Sequence, residues 1–202
     1  GNITYNRLRC NYNCAKWCNP CYSLIMPVTI NGNGTVTGLT ALPDSAMSSG
    51  SIIQVIQTVK TNTTSQSSAN AFYDISGMSV TITPSSTSNK ILVFPDLALG
   101  SSDFESYHCI WRLLRGSTAI GVSTSATSAN LTGTGGMHKS GSGAAYFFGH
   151  SKMFLDTPST TSAITYKCQW SGSNSNVTLY LNRRNSTDAG SISTITAMEV
   201  AA

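Results

Sequence analysis

Most of the chain beyond residue 50 consists of short runs in which apolar and polar residues alternate, separated by segments rich in Ser, Thr, Gly and Asn. Alternation with a period of two is typical of half-buried β-strands. No run has the period of an amphipathic helix. The sequence predicts strands at residues 52–60, 71–75, 78–83, 90–99 (with an interruption at Pro95), 107–115, 119–123, 144–155, 163–170, 177–183 and 192–200. So many short strands indicate an all-β sandwich or barrel.

The pattern also predicts how individual strands face the core. In residues 107–115, Cys109, Trp111 and Leu113 share one face, and His108, Ile110 and Arg112 share the other. Cys109 and Cys168 both fall within predicted strands. We expect them to be buried apolar residues rather than partners in a disulfide bond.

The residues before position 51 are organised differently from these strands. Two short alternating runs, residues 26–30 and 35–39, flank the sequence Asn-Gly-Asn-Gly, which supplies the positive φ angles of a tight reversal. A single hairpin of this size is not stable alone. Three copies wound together would bury Val28, Ile30, Val36 and Leu39, whereas a flexible linker is the alternative. The predicted organisation is therefore a Cys-rich segment at 1–24, a β-rich trimeric shaft and connector at 25–50, and a head domain at 51–202.

The junction between shaft and head is a strand with apolar residues on both faces. These residues are Ile52, Ile53, Val55 and Ile56. A monomeric head would leave one face of this strand polar. We therefore expect the four residues to serve both the core of the head and a threefold contact between chains.

Four cysteines lie close together near the start of the chain, at Cys10, Cys14, Cys18 and Cys21. Three interpretations remain open. Four thiolates satisfy tetrahedral zinc, but only the last two have the usual paired spacing. A disulfide clasp within or between chains is the second. The third is a frameshift in the source gene over about residues 7 to 23, because reading the codons one base on permits a Thr/Ala/Gly sequence resembling the rest of the chain.

The composition of the chain favours self-association and argues against some classes of partner. Charged residues make up 10% of the chain, against about 25% in typical globular proteins, so little charge repulsion opposes self-association. The net charge is +4 without a block of Lys or Arg, so we expect no nucleic-acid partner. No apolar stretch is long enough to suggest membrane insertion. The chain starts with Gly1, so we expect a fragment or a processed piece of a longer polypeptide.

No motif for catalysis or for a cofactor is present. Asp103 and Glu105 lie close together in a short loop, but nothing near them suggests a substrate cleft. The glycine-rich run at 133–136 does not link a strand to a helix, so phosphate binding is unsupported. We therefore expect neither enzymatic activity nor a cofactor.

Several stretches resemble the C-terminal parts of phage tail fibres and related virion proteins, especially those of marine and freshwater bacterial viruses. The stretches that carry this resemblance are residues 50–55 (GSIIQV), 72–84 (FYDISGMSVTITP), 88–93 (SNKILV), 154–158 (FLDTP), 165–167 (TYK) and 193–200 (STITAMEV). The resemblance covers about residues 24 to 202. The Cys-rich start departs from it.

The resemblance implies a trimeric jelly-roll head of the tumour necrosis factor type, located in a virion. It implies a homotrimer joined to other virion proteins at its N-terminal side, with distal loops that bind a glycan or protein of the host surface. A tail fibre is the first interpretation, and a capsid decoration, cement or head-fibre protein is the alternative. The candidate receptor-facing residues are Asp103, Glu105, Met137, His138, Lys139, Arg183 and Arg184.

Overall fold

A computed structural model describes residues 29–30, 36–37, 47–67, 71–102, 109–125, 132–137, 147–172, 178–185 and 189–202. Contacts divide the chain into two units, Gly1–Ala46 and Met47–Ala202. All regular elements within the described ranges are β-strands. They are β1 Thr29–Ile30, β2 Val36–Thr37, β3 Ile52–Lys60, β4 Thr64–Ser67, β5 Tyr73–Ile82, β6 Lys90–Ser101, β7 Cys109–Arg115, β8 Thr118–Ile120, β9 Gly135–Met137, β10 Phe147–Ser151, β11 Phe154–Asp156, β12 Ile164–Gly172, β13 Thr178–Leu181 and β14 Ser193–Val200.

In the first unit, β1 and β2 pair antiparallel, with Thr29 opposite Thr37 and Ile30 opposite Val36. This is the hairpin that the two alternating runs around Asn-Gly-Asn-Gly predict. The association of three such hairpins in a shaft stays a prediction.

The second unit is built from two antiparallel sheets, as expected for an all-β sandwich. In sheet one, β3 pairs with β14, and β4, which continues the line of β3, pairs with β13. Both β14 and β13 also pair with β6, and β6 pairs on its other side with β11 and β10. In sheet two, the order is β5, β12 and β7, with β8 and β9 pairing along the free edge of β7. Some strands lie end to end along one line of a sheet, and we call each such line a lane. In chain order the eight lanes are β3 with β4, β5, β6, β7, β8 with β9, β10 with β11, β12, and β13 with β14. With the lanes numbered in this order, neighbouring lanes run one-eight-three-six in sheet one and two-seven-four-five in sheet two.

Large apolar side chains fill the space between the sheets. Trp111, Trp170 and Tyr166 are fully buried in one cluster with aliphatic residues of both sheets. Cys109, Trp111 and Leu113 are buried, and Ile110 and Arg112 are partly exposed, so the predicted faces of β7 are confirmed where described. Cys109 and Cys168 are buried and form no disulfide, also as predicted.

An ion pair between a partly exposed arginine and a buried carboxylate joins the two sheets near one edge. Arg115 of β7 donates to both carboxylate oxygens of Asp156 in β11 at 3.0 Å. The Tyr166 hydroxyl donates to the same carboxylate at 2.7 Å. Burial and then this hydrogen bond raise the pKa of Tyr166 above its usual value. The buried Asp156 carboxylate therefore has three short contacts from two strands of the opposite sheet, and these contacts fix how the two sheets meet.

Several strands differ from the sequence prediction. β4 was not predicted, and residues 144–155, expected as one strand, contain both β10 and β11. Residues 71–75 and 78–83 were expected as two strands, but β5 is continuous: Gly77 adopts a φ of 82°, and a register shift between Lys167 and Gln169 of β12 takes up three extra residues of β5 between Asp74 and Ser79. β6 also continues through Pro95, which lies between the stretches paired with β11 and β10. β9 lies between the predicted strands at 119–123 and 144–155, where the sequence predicts no strand; its glycines let the backbone approach β7 closely.

Candidate functional site: the outer face of sheet one

A row of apolar side chains crosses the outer face of sheet one from edge to edge. Val55 is opposite Met198, Met198 is opposite Leu92, and Leu92 is opposite Leu155. Directly opposite residues share a face, and this face is the outer one because flanking residues such as Val93 are in the core. Val55 is 58% exposed and Leu155 47% exposed. We call these four residues the apolar row.

Neighbouring positions extend this surface. Ile52 and Val200 form the next pair towards the start of β3, and Val59 lies four residue pairs from Val55 in the other direction, on the same face. Ile52 is 46% exposed and Val59 49% exposed. Exposed charges of opposite sign, Lys90 and Asp96, stand on either side of the row along β6. The surface therefore has an apolar centre and a charged rim, as protein interfaces do.

The other half of the same face is covered by the chain itself. The backbone after β13 passes over Gly100, where a Cβ atom would lie 2.3 Å from the Arg183 carbonyl oxygen. The Arg183 guanidinium stacks on the Tyr180 ring at 3.9 Å from its centroid. Tyr180 in turn donates to the side-chain oxygen of Asn185 at 2.8 Å. The chain thus shields one half of the face and leaves the apolar row bare.

The outer face of sheet two is entirely different at the matching place. A row of polar residues crosses it, with Gln169 between Asp74 and Arg112. Gln169 donates to Asp74 at 2.7 Å and accepts from Arg112 at 2.7 and 2.9 Å. Lys167 pairs with Asp74 at 2.8 Å, and Arg112 stacks over Phe72. These groups satisfy one another at the surface, as expected for a face in contact with water.

The pKa of Asp74 reflects this polar row. Partial burial disfavours the charged carboxylate, but the hydrogen bonds from Lys167 and Gln169 outweigh it and lower the pKa. Because the folded pKa lies below the ordinary value of 3.8, the interaction stabilises the fold above that pH and is lost as the pH falls through the folded pKa. Its contribution is small because Asp74 is largely exposed.

The junction residues divide between two surfaces. Ile56 packs against the core cluster, while Val55 points outward in the apolar row. Ile52 is exposed at the start of β3, and Ile53 is partly buried at a register shift between β3 and β14. The strand thus has apolar residues on both faces. A threefold contact on the outward face remains a prediction.

Arg183 and Arg184 begin a segment that Asn182 fastens to sheet one. Asn182 is buried, with a φ of 64°. Its side-chain amide donates to the carbonyl oxygens of Lys60 and Asn62 at 2.8 and 3.0 Å, and its oxygen accepts from Ser193 at 2.6 Å. The segment therefore leaves midway along a lane of the sheet, between β13 and β14.

Of the other candidate residues, only Met137 belongs to a described strand. It ends β9, opposite Cys109. The remaining candidates lie outside the described residues, together with the proposed frameshift at 7–23. They are Asp103, Glu105, His138, Lys139, Cys10, Cys14, Cys18 and Cys21.

Sequence reasoning missed Leu92, Leu155 and Met198 as members of the outer surface. A signal for one of them was present. Residues 91–95 read Ile-Leu-Val-Phe-Pro, a continuous apolar run instead of an alternating one. Such a run indicates a strand that is covered on both faces. Leu155 and Met198 gave no comparable signal, because their contribution depends on which strands become neighbours.

In the part of the chain that the structure describes, no group of three or more His, Cys, Asp or Glu side chains is placed to bind a metal ion. The same residues include no helix suited to crossing a bilayer. Neither the protein-family models nor the curated proteins contain a match to this chain.

Proposed function

We propose that this chain is a non-enzymatic virion structural protein, a trimeric tail fibre whose jelly-roll head binds the host cell surface. The observation that carries the proposal is the contrast between the two outer faces, one bare and apolar and the other polar and internally paired. The sequence resemblance supplies the virion setting and the number three. The lane orders one-eight-three-six and two-seven-four-five support a jelly roll, which has two Greek keys in two sheets.

The bare face favours another copy of the same chain as its partner. The apolar row spans all four lanes of the sheet, so it is wider than the isolated apolar residues that monomers expose. Fully burying a side chain such as Val or Leu contributes about 1.5–3 kcal/mol, so a half-exposed member of the row gains roughly 1 kcal/mol. Three copies that turn this face towards a common threefold axis would bury the row without burying an unpaired charge.

Attachment in this proposal depends on avidity. Three weak sites on one trimer bind a surface together, and each later contact forms at a high effective concentration. The segments that follow Ser102 and Met137 leave from the ends of β6 and β9. Ser102 lies at the far end of β6 from Lys90 and therefore from the entering strand β3. Loops at that end would meet the host surface while the N-terminal side is held by other virion proteins.

The test combines the mass of the assembly with its binding. In a double variant, Val55→Lys and Leu155→Lys, the apolar row carries two charges that assembly would bury. The control Thr81→Lys adds a charge at an exposed position on sheet two. The purified 202-residue proteins are compared by light scattering and by binding to a glycan array and a panel of bacterial cells.

The double variant should have a lower mass than wild type, and its apparent surface affinity should fall by about 100-fold or more. The Thr81→Lys control should behave as wild type. Equal mass and equal binding of the double variant and wild type would contradict the assembly proposed here.

A further inference from the structure

The outermost strand of sheet one, β10, is held on one side only. Its five residues pair with β6, and no other strand in the described part of the chain pairs with it. An open cavity of about 480 Å³ borders its other side and is lined there by Gly149, His150 and Ser151. The strand therefore depends on a single partner, and its free edge has room to move.

The inner face of β10 is incompletely covered. Phe148 lies opposite Leu99, and His150 lies opposite Leu97. Both leucines belong to the core cluster, so the Phe148 and His150 side chains face the space between the sheets. Phe148 is nevertheless 43% exposed. Segments with few buried contacts are the ones that open locally while the rest of a domain stays folded.

His150 makes the closed position of this strand sensitive to protons. Its Nε2 atom is buried without a hydrogen-bond partner. A neutral imidazole can leave this nitrogen unprotonated, whereas the imidazolium carries an N–H on both nitrogens. Protonation would therefore bury a charged donor that has no acceptor, which is unfavourable. In agreement with this geometry, burial lowers the pKa of His150 below its ordinary value of 6.5.

No carboxylate among the described residues faces His150 to offset this cost. Lys152 lines the same cavity and would repel a second positive charge. Asp96 of β6 is exposed on the outer face of sheet one, and Arg112 of β7 lies on the outer face of sheet two. The inward-facing Cys109 of β7 is neutral, because burial raises its pKa to about 12.

We propose that β10 is an acid-sensitive edge of the head, which separates from β6 when His150 takes up a proton. In the separated state the imidazolium reaches water, and Leu97 and Leu99 lose part of their cover. The closed state binds the proton more weakly than the open state, so opening becomes more favourable as the pH falls below 6.5. The device lies within one chain and does not depend on the proposed assembly.

The experiment measures hydrogen exchange of the 202-residue protein by mass spectrometry. Peptides that cover β10 and β14 are compared at about pH 7.5 and pH 5.5, on either side of the ordinary pKa of histidine, with rates corrected for intrinsic exchange. His150→Gln keeps a polar side chain at this position but removes the titration. Asp96→Asn removes the nearest carboxylate of β6 and is the matched control. The imidazole of His150 is also titrated directly by NMR in wild type.

In wild type and in Asp96→Asn, the opening equilibrium of β10 should rise by up to about tenfold between the two pH values, because one proton is taken up. In His150→Gln it should change by less than about twofold, and β14 should stay better protected than β10 throughout. The His150 resonances should titrate below pH 6.5. An equal rise in His150→Gln, no rise in wild type, titration at or above 6.5, or β10 as well protected as β14 would each overturn the proposal.

Discussion

The side chain of Asn182 offers a sharp test of how sheet one holds the segment that begins with Arg183. Its three side-chain hydrogen bonds reach Lys60, Asn62 and Ser193, in two neighbouring lanes of the sheet. Its backbone also bonds to Ala98 at 2.8 Å. We therefore consider two substitutions, Asn182→Gly and Asn182→Ala, which both remove the side-chain amide.

The expected losses follow from these contacts. Each net hydrogen bond contributes about 0.5–1.5 kcal/mol, so Asn182→Gly should lower the free energy of unfolding by roughly 1.5–4.5 kcal/mol. Asn182→Ala should lose about 1–2 kcal/mol more, because the positive φ of this residue strains an alanine and not a glycine. The difference between the two variants isolates the backbone contribution from the side-chain contribution.

Urea unfolding at one fixed protein concentration measures both quantities through tryptophan fluorescence, because Trp111 and Trp170 are in the core. The predicted order of stability is wild type, then Asn182→Gly, then Asn182→Ala. Two variants within about 0.5 kcal/mol of wild type would refute the fastening role, since surface substitutions change stability by that much. A glycine variant less stable than the alanine variant would refute the argument from φ.

Two further predictions concern the core. Gly135→Ala should lower the free energy of unfolding by about 1–3 kcal/mol, because its Cβ would overlap the Trp111 indole. The control Gly149→Ala, whose Cβ would meet nothing within 4 Å, should change the thermal midpoint little, and equal midpoints for the two variants would be inconsistent with the close approach. Burial raises the pKa of Cys109 to about 12 and also raises that of Cys168. Peptide mapping after iodoacetamide treatment at pH 8 should therefore find both cysteines unmodified in the native protein and modified in urea. Modification of either cysteine in the native state would contradict the burial.

Strand positions could be predicted from sequence because alternation records the environment of each side chain. The two faces of β7 could be predicted in this way, because Trp111 and Arg112 are adjacent apolar and polar residues of one strand. The continuity of β5 could not, because it depends on the φ of Gly77 and on a register shift in its partner strand. A turn and a bulge use the same residues, so the local sequence does not separate them.

The apolar row illustrates a second limit. Val55 could be chosen from sequence because its strand is apolar on both faces. Leu155 and Met198 become its companions only through pairings between strands far apart in the chain. The close approach of Gly135 to the Trp111 indole has the same origin, because it depends on the pairing of β9 with β7. Contacts of this kind are set by the fold and not by any local pattern.

The central claim is that copies of this chain assemble through the bare face of sheet one. Sedimentation velocity of the 202-residue chain over a range of concentrations tests it most directly. The account predicts a species with three times the chain mass of 21.3 kDa, converted to a smaller one by the double substitution at Val55 and Leu155. A wild-type protein that sediments as a single chain at every concentration would contradict it.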